Sequence, residues 1–217
     1  MKNVLKITSS ILLIIAMLSP LAQAEITANV ALTSDYAWRG VSQNQEDVAL
    51  QGGFDYALEK GFYAGVWGSN VNFGSASTEL DLYAGWGTEL ENGIELDFGI
   101  IRYAYAGSDR ASDNNFTEYY AGINYANFGF MYSLGDEFGD QIEASYSHDM
   151  GALSIAASLG QYDVNDDGNE YTYGSLGISS TFGGVSDLGW DLTYHDTDQN
   201  NNSEADGRIV LTVSKEF

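Results

Sequence analysis

Two histidines, His148 and His195, are the only imidazoles in this 217-residue chain, and the absence of Cys removes thiol nucleophiles and thiolate metal ligands. A His-dependent hydrolase would need one of them beside a hydroxyl or a carboxylate. His148 is followed directly by Asp149, and neighbours along an extended strand point to opposite faces. His195 shares a strand face with Asp191, yet four residues of strand put about 13 Å between them. No strand–turn–helix nucleophile motif occurs. No catalytic residue is assigned, and a hydrolase stays only as the third functional reading.

Metal chemistry has one weak candidate. Asp163, Asn165 and Asp167 stand at the first, third and fifth positions of a calcium-loop pattern. Gly174 occupies the position where a bidentate acid should close the loop, so the segment reads first as a solvated acidic turn. No metal or cofactor is expected.

What the chain has in quantity is carboxylate: 31 Asp and Glu against 8 Lys and Arg, a net charge of −23. That balance excludes nucleic acid as a partner, since little would neutralise phosphates. The first 24 residues belong to an address. Lys2 and Lys6 precede an apolar run from Ile11 to Leu18, and Ala22-Gln23-Ala24 is a small-x-small cleavage site. This segment is expected to be a cleaved signal peptide, with residues 25–217 as one domain. Its removal takes away two Lys and the only Pro, and makes the remainder two charges more negative.

The carboxylates are positioned by strands. After Glu25 the apolar residues recur every second position, most clearly at Leu80, Leu82, Ala84 and Trp86 against Glu79, Asp81, Tyr83 and Gly85. Ile94, Leu96, Phe98 and Ile100 alternate likewise with Glu95, Asp97 and Gly99. Such a pattern sends apolar side chains to one face of a sheet and polar ones to the other. Long polar joins near 39–47, 73–78, 107–114, 135–140, 163–170 and 196–206 alternate with short ones at 59–61, 91–93, 126–127, 150–151 and 183–184. Together they cut the chain into about twelve strands, with all long joins on one side. The fold class expected is all-β: a transmembrane, antiparallel, up-and-down β-barrel in the bacterial outer membrane. A secreted β-sandwich is the soluble competitor, but its loops need not alternate in length. Aromatic girdles are expected at both ends. Tyr36, Trp38, Tyr103, Tyr105, Tyr119, Tyr171, Tyr173 and Tyr194 fall near the long joins. Phe54, Tyr56, Phe62, Trp86, Tyr125, Phe128, Tyr146, Phe182 and Phe217 fall near the short ones.

Residues 34–43, SDYAWRGVSQ, followed by QGGFDY at 51–56, GFYAGVWGSN at 61–70 and ELDLYAG at 79–85, resemble the N-terminal signature of the TorF-type porin family. The resemblance implies an outer-membrane barrel of largely unassigned function, and transfers no substrate and no site residues. Phe217, closing an alternating last strand, likewise resembles the C-terminal signal read by the outer-membrane assembly machinery.

If the apolar set faces lipid, the lumen is lined by Asp35, Asp55, Glu79, Asp81, Glu95, Asp97, Glu118, Glu143 and Asp191, with Glu89, and with Gly53, Gly85, Gly99 and Gly122 leaving room between them. Arg39 and Arg208 lie at the loop ends of the first and last strands, both within expected reach of Asp35. Arg102 faces lipid by strict alternation, but a bulge at Ile100-Ile101 would turn it inward, and this is the arrangement expected. A wet acidic lumen favours cations. The primary expectation is a porin for passive diffusion of small polar solutes, cationic or neutral, surrounded by lipid and lipopolysaccharide. An occluded barrel serving as a surface-binding or structural protein is the alternative.

Overall fold

The structure, a computed structural model, describes residues 25–164, 170–183, 187–200 and 202–217. The leader assigned to residues 1–24 lies outside them, as do Asn165 and Asp167 of the calcium-loop candidate. Asp163 ends a strand and stands opposite Glu170 on the next.

The strands are β1 Glu25–Thr33, β2 Ala37–Trp38, β3 Val41–Ser42, β4 Ala49–Ala57, β5 Phe62–Phe73, β6 Ala76–Glu89 and β7 Ile94–Gly107. They continue with β8 Phe116–Tyr125, β9 Phe128–Gly135, β10 Asp140–Met150, β11 Leu153–Asp163, β12 Glu170–Thr181, β13 Leu188–Thr197 and β14 Arg208–Glu216. Twelve of these, β1 and β4 to β14, make one closed barrel, each strand antiparallel to the next and β14 returning to β1. Closure pairs every strand edge, the condition under which a sheet can stand in hydrocarbon. The seam is completed by Phe217, which exchanges both backbone hydrogen bonds with Ala28.

Alternation does what period two requires. On β6, Glu79, Asp81 and Tyr83 are buried inside while Leu80 and Leu82 are exposed outside. The outward set, including Ile26, Leu50, Phe130, Ile142, Leu159, Leu176 and Ile209, leaves the barrel clad in exposed apolar side chains. This is the surface of a lipid-facing barrel, with the acids withdrawn to the inside.

The girdle at the short-turn end is as expected, with Phe54, Tyr56, Phe62, Tyr125, Phe128, Phe182 and Phe217 exposed. The other girdle needs correction. Tyr119 and Tyr194 face out, joined by Tyr132, but Tyr103, Tyr171 and Tyr173 are buried within. Tyr36 and Trp38 also lie inside, packed on luminal rings. Parity decides this. Tyr103 and Tyr105 share a face with Asp97 and Gly99, because β7 pairs with β6 in unbroken register from Ala106–Thr78 to Glu95–Glu89. The expected bulge at Ile100-Ile101 is therefore absent, and the irregularity lies at Ala76/Thr78 instead. Arg102 accordingly stands outside, opposite Leu82. It donates to Thr117 Oγ1 at 2.9 Å, with Asp136 at 3.9 Å, and does not line the lumen.

The joins also depart from expectation at one point. β5 and β6 run on to Phe73 and Ala76, so the join placed at 73–78 is a tight turn over residues 74–75. The longest join, residues 34–48, does not project into solvent. It carries the hairpin β2–β3 and folds into the barrel.

Candidate luminal site at the inward hairpin

A two-residue turn lets the hairpin fold back. Arg39 and Gly40 both take positive φ, 49° and 80°, the geometry that tightly reverses a pair of strands. A Cβ at Gly40 would also collide with Thr197, so the tip admits only glycine there. The base is pinned near the wall it leaves. Asp35 accepts from Ser42 Oγ at 2.7 Å and from Arg208 Nη1 at 3.0 Å, and Gln43 O accepts from Asn72 N at 2.8 Å. Asn44 Nδ2 holds the carbonyls of Asp47 and Val48.

The tip crosses the bore. Arg39 Nη2 lies 2.8 Å from both oxygens of Glu118 on β8. Its guanidinium sits 4.1 Å from the Trp38 ring and 4.4 Å from Tyr162 on β11. Trp38 packs edge-on against Tyr103, Phe116 and Tyr162, which ties β7, β8 and β11 to one side chain. Burial acts against the Arg39 charge, but Glu118 and neighbouring tyrosines more than offset it, so its pKa rises above the ordinary guanidinium value. Tyr36, at the foot of the hairpin, donates to Glu79 Oε1 at 3.3 Å; burial and that carboxylate hold its hydroxyl protonated well beyond the usual range.

At this level all twelve strands contribute a buried inward side chain. In order around the wall they are Thr33, Ala49, Ser69, Glu79, Tyr103, Glu118, Ser133, Gln141, Tyr162, Tyr173, His195 and Val210. The hairpin thus fills the bore at the loop end, and Arg39, at 1% exposure, is the centre of the filling.

Between the hairpin and the termini the wall changes character. On β5 to β8, Tyr63, Tyr83 and Tyr120 lie across glycines: a Cβ at Gly65 would run into the Tyr83 ring, one at Gly85 into Tyr63, and one at Gly99 into Tyr120. Their hydroxyls hold carboxylates, Tyr83 on Asp55 and Tyr63 on Asp97 at 2.6 Å. On β10 to β14 many inward positions are instead small, among them Ser145, Ser147, Ser154, Ser158, Ser175, Ser179 and Ser214. Asp55, Glu89, Glu95, Asp97, Asp191 and Glu216 face inward in this half, and none of its inward strand residues is basic.

Asp35 lies in the inward loop, and Asp55, Glu79, Asp81, Glu95, Asp97, Glu118, Glu143 and Asp191 stand at inward strand positions. Glu118 and Arg39 meet across the lumen; Arg208 reaches Asp35 as expected, while Arg39 does not. Asp55, Glu95, Asp97 and Asp191 stay apart from that cluster, nearer the termini. The histidines occupy opposite faces: His148 outside against Asn127 at 3.0 Å, His195 buried inside with Nε2 unpartnered. Sequence reasoning missed Trp38, Tyr103 and Tyr162 as luminal groups. Tyr103 shares parity with Asp97, expected inward, unless a bulge intervenes, whereas β11 carries no acid before Asp163 to mark its inward face. The glycines' room was also misread, because at Gly85 and Gly99 it is filled by tyrosine.

A family model described as "Bacterial protein of unknown function (Gcw_chp)" matches residues 18–217. No curated protein matches the sequence. Among solved structures the barrel is similar to the KdgM porin, with TM-score 0.63 and 10% identity over 88% of this chain and 99% of that one. The NanC porin gives TM-score 0.58 at 10% identity, over 89% of this chain and 99% of that one. Omp33, an outer membrane protein of Acinetobacter baumannii, gives 0.54 at 6% identity, over 89% and 97%. At such identities the likeness is one of fold, and the fold is that of outer-membrane porin barrels.

Proposed function

We propose that this chain, which belongs to the Gcw_chp family of bacterial proteins of unknown function, is an outer-membrane channel for passive diffusion of small polar solutes, cationic or neutral by preference. The observation that carries this reading is the terminus-side wall, acidic and serine-lined with no inward basic strand residue. Carboxylates in a narrow, low-dielectric tube raise the local concentration of cations and repel anions. No covalent step is involved. In the same reading lipid and lipopolysaccharide surround the wall, and the last strand with its exposed Phe217 engages the assembly machinery. Kinship with the TorF-type porins belongs to this proposal too, on the stretches of residues 34–85 that resemble them.

The filled level at the hairpin favours a second reading, an occluded barrel with a structural or surface-binding role. Planar bilayers separate the two. Under a potassium chloride gradient, the purified protein should give discrete current steps with a cation-directed reversal potential. An anion-directed reversal would remove the selectivity. Silence from both the native chain and a folded variant lacking residues 37–42 would leave the occluded barrel.

A further inference from the structure

We propose that the wall around Glu118 is a recognition site for solutes bearing a guanidinium or ammonium group, and that Arg39 occupies it as an internal stand-in. This rests on the channel reading above and gives it a solute class. Three of the contacting groups belong to the barrel and remain if the hairpin tip withdraws: Glu118 on β8, Tyr103 on β7 and Tyr162 on β11. Tyr103 donates to Glu118 Oε2 at 3.3 Å, which aims the carboxylate into the bore. One carboxylate beside aromatic faces is the combination that holds an organic cation away from water. A guanidinium is in fact seated there, 2.8 Å from the carboxylate and 4.4 Å from the Tyr162 ring.

The tethered group fits incompletely. Arg39 Nη2 donates to Glu118 Oε2 and lies equally near Oε1, which makes no hydrogen bond, while Arg39 Nε and Nη1 are buried without one, as is Trp38 Nε1. Buried donors left unpaired oppose the arrangement that buries them. A free guanidinium, not held by a backbone, can turn its fork to the carboxylate and make two parallel bonds. Glu143, inward on β10, offers a further buried oxygen, Oε2, with no partner. The hairpin base is pinned by Asp35, Asn44 and Asn72, so the tip can exchange while its foot stays in place. A cation gathered by the acidic wall would displace Arg39 from Glu118 and free the level that the tip fills. A neutral solute, lacking the charge, competes with Arg39 for Glu118 far more weakly, and an anion is repelled by the same carboxylate.

Methylguanidine and its uncharged near-isostere N-methylurea test this on the intact barrel in lipid. Binding is followed by tryptophan fluorescence, with Trp38 adjoining the site, and conductance in planar bilayers. Arg39→Ala should bind methylguanidine at least tenfold more tightly than the native chain, which keeps its own competitor, and should not respond to N-methylurea. Adding Glu118→Gln should weaken that binding about tenfold. Arg39→Gln serves the same titration if the alanine variant does not assemble, as judged by heat-modifiable gel migration. Equal responses to the two solutes, or indifference to Glu118→Gln, would overturn the site whether or not the barrel conducts. Selective binding by a barrel silent in bilayers would keep the site and remove the channel.

Discussion

At single residues, the wall on β5 to β8 is held by tyrosine laid over glycine. The ring of Tyr120 fills the place a Cβ at Gly99 would need, and its hydroxyl lies 2.5 Å from that of Tyr63, which in turn holds Asp97. Gly99→Val should therefore destabilise the barrel by about 1–3 kcal/mol, the range for overpacking a filled space. Urea unfolding in lipid would show it, and adding Tyr120→Ala should recover part of the loss because the two sites share one contact. The facing of the strand acids is legible in the sequence because they sit at an unambiguous parity, as Glu79 and Asp81 do between Leu80 and Leu82. Tyrosine could not be read as safely. Its ring and hydroxyl suit a membrane interface and a wet lumen equally, and only register on β6 assigns Tyr103 and Tyr105 to the inside. Arg102 failed for a related reason: an assumed bulge overrode the simple alternation, which was correct.

At the scale of elements, strands were legible and the longest join was not. Strand positions follow from local alternation, whereas the path of residues 34–48 depends on partners far away, Arg208 for Asp35 and Glu118 for Arg39. A hint did exist in Trp38-Arg39-Gly40, an aromatic and a scarce basic residue in a chain otherwise short of cations. Turns carry their own prediction. Ala126, in the two-residue join between β8 and β9, takes φ 53°, a region where a Cβ costs about 1–2 kcal/mol. Ala126→Gly should recover roughly 1 kcal/mol, less the entropy glycine adds to the unfolded chain. A lowered urea midpoint would contradict this.

For the whole molecule, charge and closure set the behaviour. If the acidic lumen selects cations by its field, selectivity must fade as salt rises, because screening shortens from about 10 Å at 0.1 M to about 3 Å at 1 M. Reversal potentials under a fixed salt ratio should shrink toward zero over that range; a constant value would point to discrete binding instead of a diffuse field. Closure has a different consequence. β1 meets β14 through five paired positions but meets β4 through nine, and the ion pair Arg208–Asp35 spans nearly the whole chain. The first strand thus cannot find its second neighbour until β14 has been made. Until then two unsatisfied edges and an oily exterior travel together through water, a hazard for aggregation. The seam makes assembly a matter of timing: the tube stays open along one line until β14 arrives to meet β1.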